Sequence, residues 1–276
     1  MIGGLFIVRG RKNKMNFDDL INGFRSEEIG ALTMDAPQSW AQGRTLYGGL
    51  SAALCHVSAM ASAEIDKPLR SAVIAFVGPS SGQLTGSAEI MRQGKSTIMM
   101  DAVLHGEKGI GTKALLIYGN ARDSKLNQSD LAAPQVDAPE DCPSLWGDRK
   151  AANFARNFEL RRAGGLTPMG GNERGDMLVW VRHATEASVD DTAALFALAD
   201  VLPPACFTMM SEGAPISTVT WSLEFLMPEV EVANNWFLMK SVAEHTADGY
   251  SSQAMYVWDR QGRPVIAARQ NVTVFY

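Results

Sequence analysis

Residues 47–66 read YGGLSAALCHVSAMASAEID. From Gly48 to Asp66 the run is mostly small and apolar and holds no proline, which predicts a buried helix entered through Gly48-Gly49. Four strand-like runs follow: Leu69–Val77, Gln83–Arg92, Thr97–Leu104 and Thr112–Tyr118. Gly-Pro, Gln-Gly-Lys and Glu-Lys-Gly punctuate them as turns. The first half therefore reads as one helix followed by an antiparallel meander wide enough to wrap it.

The pattern then breaks and returns. Residues 123–149 carry Pro134, Pro139 and Pro143 among acidic and small polar residues with little periodicity, which predicts a linker crossing the surface. Beyond it, Phe154–Arg162 and Met177–His183 read as strands. Asp190–Leu202 reads as a helix, with Val189-Asp190-Asp191-Thr192 supplying acidic and capping residues at its start. Ile216–Phe225, Trp236–Glu244, Ser251–Trp258 and Val265–Val274 read as four more strands, the last two joined by the turn signal Asp259-Arg260-Gln261-Gly262. Helix, four strands, linker and much the same again is an internal duplication. The expected units are residues 15–122, a linker 123–153, and residues 154–276.

The two helices can be laid on each other so that Leu54-Cys55-His56 matches Leu198-Ala199-Asp200. Gly48-Gly49 then falls on Thr192-Ala193. The first half keeps the glycines and lacks the acid, and the second keeps the acid and lacks the glycines. Two complementary half-sites predict one composite site between the halves.

Composition narrows the function classes. A chain of 276 residues with 46% apolar and 20% charged residues has material for a sizeable core, which excludes gross disorder. A net charge of −5 argues against a dedicated nucleic-acid binder. No apolar run approaches the roughly 18 residues of a membrane span, so no stable membrane insertion is expected. Cys55, Cys142 and Cys206 show no CxxC spacing and the four histidines are scattered, which speaks against a disulfide framework and a metal site. Met1–Lys14, MIGGLFIVRGRKNK, has a short apolar part followed by its basic residues, unlike a secretory signal. It reads as an extension or start-site artefact ahead of Met15, and a cytoplasmic protein with reduced thiols is expected.

Tyr47-Gly48-Gly49 opening a helix, then Arg92-Gln93-Gly94-Lys95-Ser96 between two strands, resembles the first half of a double-hotdog acyl-CoA thioesterase. The nearest type is acyl-CoA thioesterase II (TesB-like). In the second half Leu198-Ala199-Asp200, Ile216-Ser217-Thr218-Val219 and Ala267-Ala268-Arg269-Gln270 fall where that family places its Asp, Thr and Gln. The resemblance spans Gly43 to Tyr276. It implies an α+β double hotdog, two tandem helix-wrapped antiparallel sheets joined into one continuous sheet. It also implies an acyl-CoA substrate, no cofactor, no metal and a homo-oligomer. The chain departs from the pattern at Thr220-Trp221, where the family carries an acidic residue and a histidine beside the substrate pocket. Its linker is also shorter.

Thioester hydrolysis needs an activated water and a place for the oxyanion. A carboxylate among Leu, Ala and Val, as Asp200 is, is costly to bury unless hydrogen-bonded. Burial raises its pKa and donated hydrogen bonds lower it. Held by the Thr218 hydroxyl and the Gln270 amide, Asp200 can accept a proton from water. An amide both donates and accepts, so Gln270 can orient that water. Free N–H groups at Gly48 and Gly49, opened by Tyr47, suit an anionic thioester oxygen and let substrate approach the backbone.

Each residue has a plainer alternative. Asp200 can cap a helix end before Pro203-Pro204, Thr218 and Gln270 can be ordinary strand residues, and the glycines can serve tight packing. His56, at the position equivalent to Asp200, reads as a packed core histidine, and Cys55 and Cys206 as small core residues. Met99, Met100, Met209 and Met210 can line an acyl pocket or fill the core. Gly94-Lys95-Ser96 is not a phosphate loop, because Glu89 stands where its first glycine belongs and a strand follows. No GxSxG nucleophile elbow occurs. Two other functions remain open: a non-catalytic acyl-CoA or lipid-binding protein, and an enoyl-CoA hydratase-like enzyme. The latter wants a histidine a few residues from its Asp, and Asp200 has none.

Overall fold

Every residue of the helix α2 (Gly48–Ser62) from Gly49 to Ala59 is buried. Small side chains let neighbours close in, and the serines bury their hydroxyls by bonding back along the helix. Ser51 Oγ donates to the Tyr47 carbonyl at 3.2 Å and Ser58 Oγ to the Leu54 carbonyl at 2.8 Å. The computed structural model describes residues 15–25, 32–147 and 152–276; Met1–Lys14 lies outside the described residues.

The first half comprises α1 (Phe17–Phe24), β1 (Leu32–Asp35), a short ladder of β2 (Ala41–Gln42) and β3 (Thr45–Leu46), and α2. After α2 come β4 (Leu69–Phe76), β5 (Gln83–Gln93), β6 (Thr97–Gly106) and β7 (Gly109–Gly119). The second half comprises β8 (Phe158–Gly165), β9 (Asp176–His183), α3 (Asp191–Ala199), β10 (Ile216–Phe225), β11 (Phe237–Ala247), β12 (Tyr250–Asp259) and β13 (Pro264–Val274). Eleven strands form one sheet in the order β1-β5-β6-β7-β4-β10-β13-β12-β11-β9-β8, with antiparallel neighbours throughout. Each half repeats one plan, β1-β5-β6-β7-β4 against β9-β11-β12-β13-β10, with β8 added at the second edge. This is the double hotdog that the family resemblance implied, with the repeated helix and meander that the duplication predicted. At the seam, Trp221 and Leu223 of β10 pair with Ile74 and Ala72 of β4, and all four are buried.

Some expectations change. α1 and β1 carry no signal that the sequence reading used. In α1 the buried Phe17, Leu20, Ile21 and Phe24 make an apolar stripe over a single short helix. Residues Phe154–Asn157 form a 3₁₀ turn, and the strand begins only at Phe158. α3 stops at Ala199, short of the expected Leu202, because the residue before Pro203 is steered away from helical geometry. Asp200 is thus the C-terminal cap of α3 (φ −103°, ψ 3°), not a residue in mid-helix.

The segment between the halves is held as a strap. Trp258 Nε1 donates to the Leu131 carbonyl at 2.8 Å and Trp180 Nε1 to the Asp137 carbonyl at 2.9 Å. Leu145 N–H donates to the Leu160 carbonyl at 3.0 Å. Ala133, Val136 and Cys142 pack on Trp180, Trp236, Leu238 and Trp258. Leu238 belongs to this cluster while its neighbours Phe237 and Met239 belong to the core around the helices, so the strap covers the outer face of the second half.

Trp221 is fully buried, meets Phe196 edge-on at 6.2 Å, and among the described residues its Nε1 has no hydrogen-bond partner. Trp221→Ala should cost about 3–5 kcal/mol by opening a cavity at the seam. Trp221→Phe keeps a ring there and removes a buried unsatisfied donor, so it should cost no more than about 1 kcal/mol. Urea denaturation of the two variants checks both values.

Candidate functional site

The last turn of α3 runs against the first turn of α2. A cavity of about 670 Å³ opens beside that contact, within the size range of ligand pockets. Both halves line it: Gly48, Ser51 and Phe76 from the first, Asp200, Thr218 and Gln270 from the second. Leu202, Phe207 and Ile216 extend its apolar wall.

Asp200 ends α3 at the cavity wall. Gln270 Nε2 donates to Asp200 Oδ1 at 2.6 Å, and the Gly49 N–H donates to the same carboxylate. Removal from water raises the carboxyl from its ordinary 3.8 to about 7, against the pull of those two donors. Both donors are neutral, and among the described residues no cation pairs with Asp200. A base that titrates near neutral pH and faces an open cavity can take a proton from water.

The glycines fit the packing reading, while the Gly49 N–H, expected to be free for an oxyanion, is instead engaged with Asp200. A Cβ on Gly48 would stand 2.7 Å from Asp200 Oδ2 and 3.2 Å from the Phe76 ring. A Cβ on Gly49 would stand 2.9 Å from the Phe196 carbonyl oxygen and 2.9 Å from the Tyr47 ring. Gly48 thus keeps the carboxylate accessible, and Gly49 lets the two helices touch. Tyr47 lies behind the site and does not line the cavity. Its hydroxyl donates to the Ala197 carbonyl at 2.8 Å and its ring stacks on Phe154 at 4.2 Å. Burial, with the Asp200 charge adding to it, holds this phenol well above its usual pKa.

Thr218 lines the cavity on β10, where the register with β13 shifts between Thr218 and Thr220. Among the described residues its hydroxyl makes no hydrogen bond to Asp200 or Gln270. Trp221 points into the core and Thr220 is exposed, so the departure at these two positions leaves the cavity wall untouched.

Gln253 on β12 escaped the sequence reading. It is 1% exposed, its Nε2 donates to Gln270 Oε1 at 2.7 Å, and its Oε1 accepts from the Ala205 N–H at 2.7 Å. The methionine at the cavity is Met169; Met100 and Met210 are buried and Met99 and Met209 lie elsewhere.

The opposite end of the helix pair holds a different cluster. His56 Nδ1 lies 2.9 Å from the Tyr118 hydroxyl and Nε2 lies 3.5 Å from Asp190 Oδ1. Arg25 pairs with Asp190, the N-cap of α3, which also accepts from the Ala193 N–H at 2.9 Å. Burial pushes Asp190 up, but His56, Ala193 and Arg25 outweigh it and bring the carboxyl down to about 2. His56 is 3% exposed, a packed core histidine. Burial pushes the Cys55 thiol up to about 12, and Cys206 is buried, so neither has the character of a nucleophile. Among the described residues no three His, Cys, Asp or Glu side chains gather as metal ligands, and no helix is long and apolar enough to cross a membrane.

The family profile described as acyl-CoA thioesterase N-terminal domain matches residues 36–119, and the C-terminal domain profile matches residues 139–274. No curated protein matches the sequence. A hot dog fold protein of unknown function from Alicyclobacillus acidocaldarius superposes with a TM-score of 0.83 at 21% identity, covering 93% of this chain and 98% of that one. An acyl-CoA thioesterase II from Mycobacterium marinum gives 0.74 at 16% identity over 94% and 98% of the chains. The tesB protein of Mycobacterium avium subs paratuberculosis gives 0.75 at 14% identity over 94% and 99%. At these identities the likenesses speak for the fold.

The raised carboxyl makes a stability prediction. The folded chain binds the Asp200 proton more tightly than the unfolded chain does. Its contribution is therefore fully present below the unfolded value near 3.8 and is lost as pH rises through about 7. Asp200→Asn removes the charge, so its stability relative to wild type should grow between those limits and level off above. A gain of roughly 2 kcal/mol at the upper end is expected, discounted because the carboxylate borders an open cavity. Thermal melts of both proteins across that range provide the check.

Proposed function

The chain belongs to the acyl-CoA thioesterase family, and we propose that it hydrolyses acyl-CoA thioesters to the free acid and CoA, with Asp200 as general base. The observation that carries this reading is the Asp200 carboxylate, raised to about 7 and held by the Gln270 amide and the Gly49 N–H at the wall of a cavity shared by the two halves.

In this mechanism a water beside Asp200 gives up a proton to the carboxylate as its oxygen attacks the thioester carbon. The carbonyl electrons move to oxygen, and the resulting oxyanion lies at the start of α2. Since the Gly49 N–H is engaged with Asp200, the Gly48 N–H and the helix dipole are assigned to that charge. Collapse restores the carbonyl and breaks the carbon–sulfur bond. The proton held by Asp200 passes to the departing CoA thiolate. Thr218 positions the water or the thioester from the same wall, and Tyr47 braces the first turn of α2 from behind. Phe76, Leu202, Phe207 and Ile216 offer the acyl chain an apolar surface. Three free, buried cysteines suit a reducing cytoplasm. Val73, exposed on the outer face of a seam strand, suits assembly into a homo-oligomer.

Asp200→Asn should lower kcat by about 10²–10⁴-fold with little change in KM, measured by thiol release across acyl-CoAs of different length and branching. Gln270→Ala should lower kcat less, and Thr218→Val least, without additivity, because all three serve one water. In wild type kcat/KM should rise through about pH 7 as Asp200 ionises. A folded Asp200→Asn protein working at the wild-type rate would sink the assignment. Tight acyl-CoA binding without turnover by wild type would turn the reading to the non-catalytic binding protein.

A further inference from the structure

We propose that Gln253 is a positioning residue that fixes which end of the Gln270 amide meets Asp200. This rests on the reading of Asp200 as the base. The two ends of a glutamine amide have nearly the same shape, so only hydrogen bonds decide which one faces a neighbour. Here the decision starts from a group that has no choice. The Ala205 backbone N–H can only donate, so the Gln253 atom 2.7 Å from it is the oxygen. The Gln253 NH₂ then faces Gln270 at 2.7 Å and requires an oxygen there. The Gln270 NH₂ is left to donate to Asp200 at 2.6 Å. The remaining Gln253 N–H points at Met255 Sδ, 3.6 Å away.

The path is a closed ring. Asp200 ends α3, and Ala205 opens the 3₁₀ turn Ala205–Thr208 just beyond Pro203-Pro204. Gln253 and Gln270 stand opposite each other on β12 and β13. Both amides are buried, at 1% and 4% exposure, so water offers little competition. Among the described residues, the other titratable group whose charge bears on the carboxylate is the Tyr47 phenol, which burial keeps protonated. With Gln253 in place, Gln270 can only donate to Asp200, which favours the ionised carboxylate over the neutral acid. Without it, the Gln270 amide can turn its oxygen to Asp200 and accept a proton from the neutral acid, which favours the form that cannot act as a base.

Gln253→Met keeps the length of the side chain and removes both hydrogen-bonding ends. The readout is the titration of the Asp200 carboxyl carbon by carbon-13 NMR, assigned by its loss in Asp200→Asn. The midpoint should move up by about half a unit to one unit, and kcat/KM below it should fall about three- to tenfold with KM nearly constant. A residue that only fills space would lower the melting temperature and leave the midpoint in place, and that result overturns the proposal. Should the variant not fold, scalar couplings across the hydrogen bonds from Gln253 Nε2 to Gln270 and from Gln270 Nε2 to Asp200 are measured in wild type, and their absence overturns it too. The titration needs no turnover. Hydrolysis that depends on Asp200 with an unmoved midpoint defeats the relay and leaves the thioesterase reading standing. A moved midpoint in a protein that hydrolyses nothing does the reverse.

Discussion

The first turn of α2 lies against the last turn of α3 with no side chain between them, because positions 48 and 49 are glycine. That approach sets the rest of the site. It brings a backbone N–H to a carboxylate that leaves α3 as its cap, and it places both beside a cavity that neither half encloses alone. A methyl group at either position would force apart Asp200, Phe196 or Tyr47. The seam between β4 and β10 and the buried Tyr47–Ala197 hydrogen bond hold the two helices at this distance.

The second half caps α3 with an aspartate at each end, and the surroundings treat the two in opposite ways. Asp190 has Arg25, His56 and the Ala193 N–H, and stays ionised down to about 2. Asp200 has an amide and a backbone N–H, and takes up a proton near 7. The difference is one of partners, since burial raises both carboxyls. Charge compensation turns one end into a clamp, with α1 fastened over it by Asp18 on the Ser188 and Val189 N–H groups. Neutral donors leave the other end titratable.

Much of this was legible in the sequence for physical reasons. A helix with no polar face must be wrapped, and the repeat of helix and meander gave the sheet. Gly48-Gly49 and Asp200 stood out because glycine at a helix start and a carboxylate in an apolar run both break local rules. Gln253 did not, since its role depends on a partner across the sheet. Reflecting Gln270 through a symmetric Asp259–Gly262 turn lands on Ser251; Trp258 instead pairs with Pro264, one residue off that symmetry, and the register shift between Val257 and Trp258 adds a second, which makes Gln253 the true partner. Tyr47 stands beside the glycines in the sequence, but its position there cannot say which way its ring turns, and in the fold it turns behind the site. α1 and β1 are too short for periodicity to declare them, and both owe their stability to what they cover.

The strap between the halves bears on how the chain finds its own partner. The ladder between β4 and β10 joins strands from different halves, so the same edges can pair between two molecules as well as within one. A slack connection would leave those outcomes in competition. Here the backbone is fastened at Leu131 and Asp137 by two indole N–H groups and at Leu145 by Leu160. Fastening shortens the free tether and raises the effective concentration of each half for the other. The indoles of Trp180 and Trp258 thus shorten the reach over which one half could seek the other half of a second molecule, a consequence separate from any part they take in the stability of the finished sheet.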